Sequence, residues 1–166
     1  MSRFKQISAE NLAAANQMIP QVTHHDRADV RVIEAFRDDL KLEATARGVK
    51  LTALAFHVKA LAHALRAFPR FNASLGSDGQ TLILKGYVHI AVAVDTEYGL
   101  MVPVIRDVNE KGLWQIASQI ADLAKRAQAR KIRPEEMGGA SMTITNLGGI
   151  GGTAFTPIVN PPEVAI

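Results

Sequence analysis

Between Thr52 and Pro69 the chain carries its most restrictive pattern. Leu54, Val58, Leu61, Leu65 and Phe68 recur at helical spacing, while His57, Lys59, His63 and Arg66 fall off that stripe. Apolar residues at that period form one face of an α-helix, and a face of that kind is stable only when buried. Thr52 suits the N-cap, where a side-chain oxygen accepts from a first-turn N–H. Pro69 is the stop, because the proline ring disfavours a helical residue before it.

The remaining segments supply both helices and strands. Ser8 is a candidate cap for a helix over Ala9–Met18, ended by Ile19-Pro20, and Pro20–Asp29 reads as extended. Val30–Arg47 reads as one helix with Ile33, Phe36 and Leu40 on a face, and Gly48 as its C-terminal stop. After the turn Gly76–Gly79, strands are expected at Thr81–Leu84, Tyr87–Val94 and Leu100–Ile105. A third long helix spans Leu113–Ala129, and Pro134–Gly139 breaks the chain. Further strands are expected at Ser141–Asn146 and Thr153–Ile158, on either side of the glycine run Gly148–Gly152. Helices and strands alternate without a regular βαβ order, which predicts a two-layer α+β domain.

Composition narrows the function classes. With 48% apolar and 21% charged residues in 166, one folded domain is expected and disorder is excluded. Nineteen basic against sixteen acidic residues leave a charge of +3, and the basic residues are interspersed with acids. Nucleic-acid binding, which needs clustered Lys and Arg, is not expected. The absence of cysteine excludes disulfides, thiolate catalysis, Cys-ligated zinc and iron–sulfur clusters. No apolar run approaches the ~20 residues of a membrane span, and the N-terminus lacks a signal-peptide core. A soluble, intracellular protein is the expectation.

Candidate chemistry is sparse. The glycine run lacks the Gly-Lys-Ser/Thr close of a phosphate-binding P-loop, so close passage of two backbones is the preferred reading. The five histidines fall on divergent faces, and no metal site is expected. His25-Asp26-Arg27-Ala28-Asp29 fits His-x-x-x-Asp, but Val30 follows, and a surface strand is the simpler reading. Thr143, Thr145 and Asn146 stand just before the glycine run, where a hydroxyl can donate to a developing oxyanion.

Several longer runs go beyond this. They are Met18–Thr23, Phe71–Leu75, Val92–Thr96, Gly99–Val104, Thr143–Gly148 and Phe155–Ile166. Together, in order along nearly the whole chain, they resemble the catalytic domain of the dihydrolipoamide acyltransferases. These are the E2 components of 2-oxo-acid dehydrogenase complexes, and the pyruvate dehydrogenase branch is the most similar. The resemblance implies a chloramphenicol-acetyltransferase-like fold, a mixed sheet with flanking helices. It implies a bacterial, cytoplasmic acetyltransferase with no bound cofactor. The acetyl group passes from the dihydrolipoyl sulfur of a separate lipoyl domain to coenzyme A. Homotrimers with sites between subunits, and a larger cubic core, are implied as well.

By position in the motif, Thr145 is the oxyanion hydroxyl, where the family often has serine. Asp95 corresponds to an aspartate that supports the site through a charge pair. Arg37 and Lys59 match positions where coenzyme A phosphates bind, with a solvated helix face as the alternative. Phe155 is a candidate lining residue of the pantetheine channel, or else a core aromatic. The family's general base lies in a His-Arg-x-x-Asp/Asn-Gly motif that residues 1–166 do not contain. The expectation is therefore a catalytic domain incomplete at its C-terminus, with Val164–Ile166 a strand cut mid-course. Such a chain is inactive for want of the histidine, and the domains that contact the E1 and E3 enzymes are absent. A non-catalytic trimeric scaffold of the same fold is the alternative.

Overall fold

The computed structural model describes residues 1–166. Its helices are α1 (Arg3–Met18), α2 (Arg31–Asp39), α3 (Lys41–Ala46), α4 (Ala53–Ala67) and α5 (Leu113–Gln128). Its strands are β1 (Ala73–Leu75), β2 (Leu82–Leu84), β3 (Ile90–Val92), β4 (Val104–Ile105) and β5 (Met142–Ile144).

The helix expectations hold with four corrections, the first being that Thr52 sits at the N-cap of α4 but its side chain accepts no first-turn N–H. α1 starts ahead of Ser8, because Ser2 is in extended conformation and its hydroxyl accepts the Lys5 N–H at 3.4 Å. The expected Val30–Arg47 helix is two helices, since Leu40 adopts ψ −2° and the second set of bonds restarts at its carbonyl. Gly48 does end the second, at φ +64°, where a side chain would be strained. The buried line of α4 is Ala55, Val58, Ala62 and Leu65, while Phe68 is 63% exposed. Small alanines on that line let α5 and the Val108–Glu110 turn pack closely on α4.

Three strands form a mixed sheet in the order β4-β3-β5. β3 pairs antiparallel with β4 (Ile90 with Ile105) and parallel with β5 (Ile90 with Met142, Ala91 with Thr143, Val92 with Ile144). All three residues of β3 are buried, as a central strand covered on both faces requires. The expected strands Tyr87–Val94 and Leu100–Ile105 contract to these short ladders plus a bridge from Val94 to Met101.

β1 and β2 form a separate antiparallel pair, and β1 carried no strand signal in the sequence. Asp78 closes their turn. Its carboxylate accepts from the Thr81 hydroxyl and from the Thr81 and Gln80 N–H groups, which holds its pKa down to about 2. Thr153–Ile158 and Val164–Ile166, both expected as strands, have no strand partner. Gly151 and Gly152, at φ +87° and +111°, turn the chain ahead of the first segment, and Pro157 cannot donate to a ladder. The fold is thus α+β, as expected, with α4 and α5 covering the mixed sheet.

Leu65, Ile90, Ile105 and Ile116 are the largest fully buried side chains, and they join helices to sheet in one cluster. Ile90→Ala is expected to cost about 2–5 kcal/mol of unfolding free energy. Ile150→Ala, at a position 77% exposed, is expected to change it by less than ~0.5 kcal/mol. Urea titrations of the two variants check the contrast.

Candidate active site

The strand period of two sends alternate side chains to the same face. Thr143 on β5 and Thr145 just beyond it accordingly line one groove of about 310 Å³, with Leu100, Val102, Phe155 and Asn160 among the other walls. Thr143 is buried and Thr145 half-buried, so the Thr145 hydroxyl stands in a mainly apolar recess. A hydroxyl in such a setting donates more strongly to an anion than it would in water. Beyond it, Asn146 Oδ1 accepts the Gly148 N–H at 2.8 Å and starts the glycine turn.

Phe155 joins this groove to two neighbouring recesses. One, of about 430 Å³, lies between His25 and the glycine run. The other, of about 410 Å³, runs between the extended arm 19–25 and the 155–166 segment. The arm is tied down where the Val159 N–H donates to Gln21 Oε1 at 3.1 Å. Phe155 is 43% exposed, so it is a lining residue and not a core aromatic.

The sequence candidates separate in space. Thr145 and Phe155 share the groove, whereas Asp95, Arg37 and Lys59 do not line it. Asp95 is exposed on the turn after β3, beside Thr96, Glu97 and Gln128 in a polar recess, and has no ion-pair partner within the chain. Arg37 is engaged by Glu34 at 2.5 Å and by Asp38 at 4.0 Å. Lys59 Nζ donates to the Lys111, Asn109 and Val108 carbonyls at 2.7, 3.3 and 3.5 Å, and so holds the 108–111 turn against α4. His25 and Asp29 do not form a pair, because Asp29 binds Arg31 at 2.6 Å. No group of three His, Asp or Glu side chains is arranged to hold a metal ion.

Two buried polar groups escaped the sequence reading. Glu163 accepts from the Thr143 hydroxyl at 2.9 Å and from Asn160 Nδ2 at 3.2 Å. Burial pushes its carboxyl pKa up, against the opposing pull of those donors and of Lys85. The only sequence signal was a lone acid within an otherwise apolar Pro-Pro-Glu-Val-Ala-Ile run. His89, stacked on Tyr87 at 4.1 Å, accepts the Asp107 N–H on Nδ1 at 2.9 Å. That bond joins β3 to the turn Lys59 holds, and it requires a neutral ring.

Burial lowers the His89 pKa from the ordinary 6.5, with Arg106 and Lys111 acting in the same direction and a hydrogen bond to the Val88 backbone and the Asp107 charge opposing them. The unfolded chain therefore binds the extra proton first, and stability falls as pH drops below about 6.5. Thermal melts from pH 7.5 to 5 are expected to show this loss, and His89→Gln to flatten it. An unchanged slope in the variant contradicts the assignment.

Comparison with known proteins identifies the fold. The family model for 2-oxoacid dehydrogenases acyltransferase (catalytic domain) matches residues 1–166. The chain belongs to this family. It is 51% identical over 166 residues to the dihydrolipoyllysine-residue acetyltransferase component of the pyruvate dehydrogenase complex of Cupriavidus necator, covering all of this chain and 30% of that protein. The corresponding Pseudomonas aeruginosa component is 52% identical, again over all of this chain and 30% of the relative. The chain thus spans about a third of the length of these relatives.

Among solved structures, Azotobacter vinelandii dihydrolipoamide acetyltransferase superimposes with a TM-score of 0.97 at 51% identity, covering 99% of this chain and 68% of that one. Its serine, histidine and asparagine were investigated for roles in the catalytic mechanism. A truncated catalytic core of the 2-oxoacid dehydrogenase multienzyme complex from Thermoplasma acidophilum gives 0.90 at 35% identity, covering 99% and 75% of the two chains. The chloramphenicol-acetyltransferase-like fold implied by the sequence resemblance is therefore the fold of this chain.

Proposed function

We propose that residues 1–166 form part of the acetyl-transferring domain of a pyruvate dehydrogenase E2 component in the bacterial cytoplasm, without the segment that carries its histidine base. The observation that carries this reading is the Thr145 hydroxyl. It lines an apolar groove at the end of β5, in a domain whose relatives are dihydrolipoyllysine-residue acetyltransferases.

In the proposed reaction a histidine base takes the proton of the coenzyme A thiol. The thiolate attacks the thioester carbonyl of S-acetyl-dihydrolipoyl, forming a carbon–sulfur bond and a tetrahedral oxyanion. Thr145 donates to that oxyanion, a contact worth ~3–4 kcal/mol where single donors have been removed. Collapse breaks the bond to the dihydrolipoyl sulfur, which leaves as a thiolate and takes the proton back from the histidine. Acetyl-coenzyme A and the dihydrolipoyl dithiol result. The Thr145 methyl restricts its χ1 rotamers more than serine would.

Other roles follow from the surroundings. Phe155, at the junction of three recesses, is suited to line the pantetheine path. Arg37 and Lys59 can meet coenzyme A phosphates only by exchanging Glu34 and the 108–111 carbonyls. Asp95 is free to pair with a cation brought by a neighbouring subunit of a trimer. Trimers and a cubic core belong to the proposal, and a cubic core of a pyruvate dehydrogenase complex is a structural neighbour.

A non-catalytic trimeric scaffold is the second reading. It is favoured by the exposed apolar pair β1–β2, where Leu75, Ile83 and Leu84 are each more than half exposed. Trimers that ignore coenzyme A would support it.

The deciding assay is acetyl transfer from acetyl-coenzyme A to dihydrolipoamide. Residues 1–166 contain no His-Arg-x-x-Asp/Asn-Gly segment, and the isolated 166-residue chain is expected to give no turnover above background. A chimera carrying the uncovered part of the Azotobacter core after Ile166 is expected to be active. In it Thr145→Val is expected to lower kcat about 10²–10³-fold. Turnover by the isolated chain at the chimera's rate, or an indifferent Thr145→Val, overturns the assignment.

A further inference from the structure

Glu163 is the only buried acidic residue of the chain. Its Oε1 accepts from the Thr143 hydroxyl at 2.9 Å and from Asn160 Nδ2 at 3.2 Å. Its Oε2 is buried and has no partner. A carboxylate buried with half its acceptors unmet is a cost to the fold. An apolar residue would fill the site more cheaply, so the reason for an acid lies in what its bonds hold.

The two donors stand on different parts of the groove. Thr143 is on β5, two residues before Thr145 and on the same face of the strand, and both line the groove. Asn160 belongs to the opposite segment, which also brings Phe155 and Pro157 to the groove. That segment has no strand pairing of its own. It turns at 160–163, where the Glu163 N–H donates to the Asn160 carbonyl at 3.0 Å. β5 ends at Ile144, so Thr145 lies one residue beyond its regular pairing. A single carboxylate oxygen thus ties the strand that leads into Thr145 to the wall that faces it.

We propose that Glu163 is a positioning residue: by bridging Thr143 and Asn160 it fixes the end of β5 and, through it, the rotamer of Thr145. The role given to Thr145 rests on the acyltransferase reading, whereas the bridge itself does not. Lys85, which donates to the Ala140 carbonyl at 2.7 Å, is the cation that faces the carboxylate.

The test is side-chain NMR on methyl-labelled protein, reading the Thr145 χ1 rotamer from three-bond couplings of its methyl carbon. Wild type is expected to hold a single rotamer. Glu163→Ala and Thr143→Val are each expected to average the couplings and shift the Thr145 methyl, leaving the methyls of Val58 and Ile116 in place. Glu163→Gln keeps an oxygen that accepts from both donors, so it is expected to retain the wild-type couplings. A loss of packing alone would move the core methyls as well and would not be rescued by glutamine. A single unchanged Thr145 rotamer in both disrupting variants overturns the proposal. Should Glu163→Ala fail to fold, Thr143→Val decides, since it is isosteric and leaves Glu163 in place. Acetyl-coenzyme A added to the chimera that completes the site separates the two claims. If it leaves the Thr145 methyl unmoved while the variants behave as expected, the acyltransferase reading falls and the positioning role stands.

Discussion

The parallel pairing of β3 with β5 is the constraint on which the remaining structure depends. Three residue pairs join Ile90, Ala91 and Val92 to Met142, Thr143 and Ile144, across about fifty residues of chain. On one side, the pairing gives α4 and α5 a sheet to cover. On the other, it places Thr143 and Thr145 along a groove floor. Because the side-chain period is two, a slip of one residue would turn both threonines away from the groove and bury Ile144 wrongly. Long-range parallel pairing is entropically costly to form, so the ladder survives only because β3 is buried on both faces.

Buried polar groups then stabilise the loops around that ladder. Ser141 Oγ accepts the N–H of His89, just ahead of β3, at 3.0 Å, and the His89 ring accepts from Asp107. Asn72 donates to the Lys85 and Tyr87 carbonyls at 3.3 and 2.7 Å, anchoring the β1–β2 pair to the approach of β3. Lys59 binds the 108–111 carbonyls from α4. Each bond pairs a backbone N–H or carbonyl of a loop that has no ladder partner. Of the two cations expected to meet phosphate, Lys59 is engaged in this way, whereas Arg37 is held by the Glu34 and Asp38 carboxylates on its own helix.

How much of this was legible in the sequence varied with the range of the interaction. α4 and α5 were readable because apolar residues at helical spacing declare a face locally. Gly48 and Ile19-Pro20 marked helix ends for equally local reasons. The break at Leu40 was invisible, since no glycine or proline signals it. β1 was missed because Ala73, Ser74 and Leu75 have little strand propensity, and only pairing with β2 makes them a strand. Thr153–Ile158 failed in the opposite sense, having strand propensity without a partner. At the site, the motif run placed Thr145 and Phe155 together. Glu163 and His89 act through neighbours twenty and eighteen residues away, which periodicity cannot reveal.

The central claim is that the Thr145 hydroxyl donates to the carbonyl oxygen of a thioester held in the groove. Isotope-edited infrared spectroscopy of acetyl-coenzyme A labelled at the acetyl carbonyl measures this directly. With the protein in excess, the account predicts a carbonyl band moved to lower frequency, and return of that band to its solution position in Thr145→Val. A bound band that stays at the same lowered frequency in the variant would contradict it.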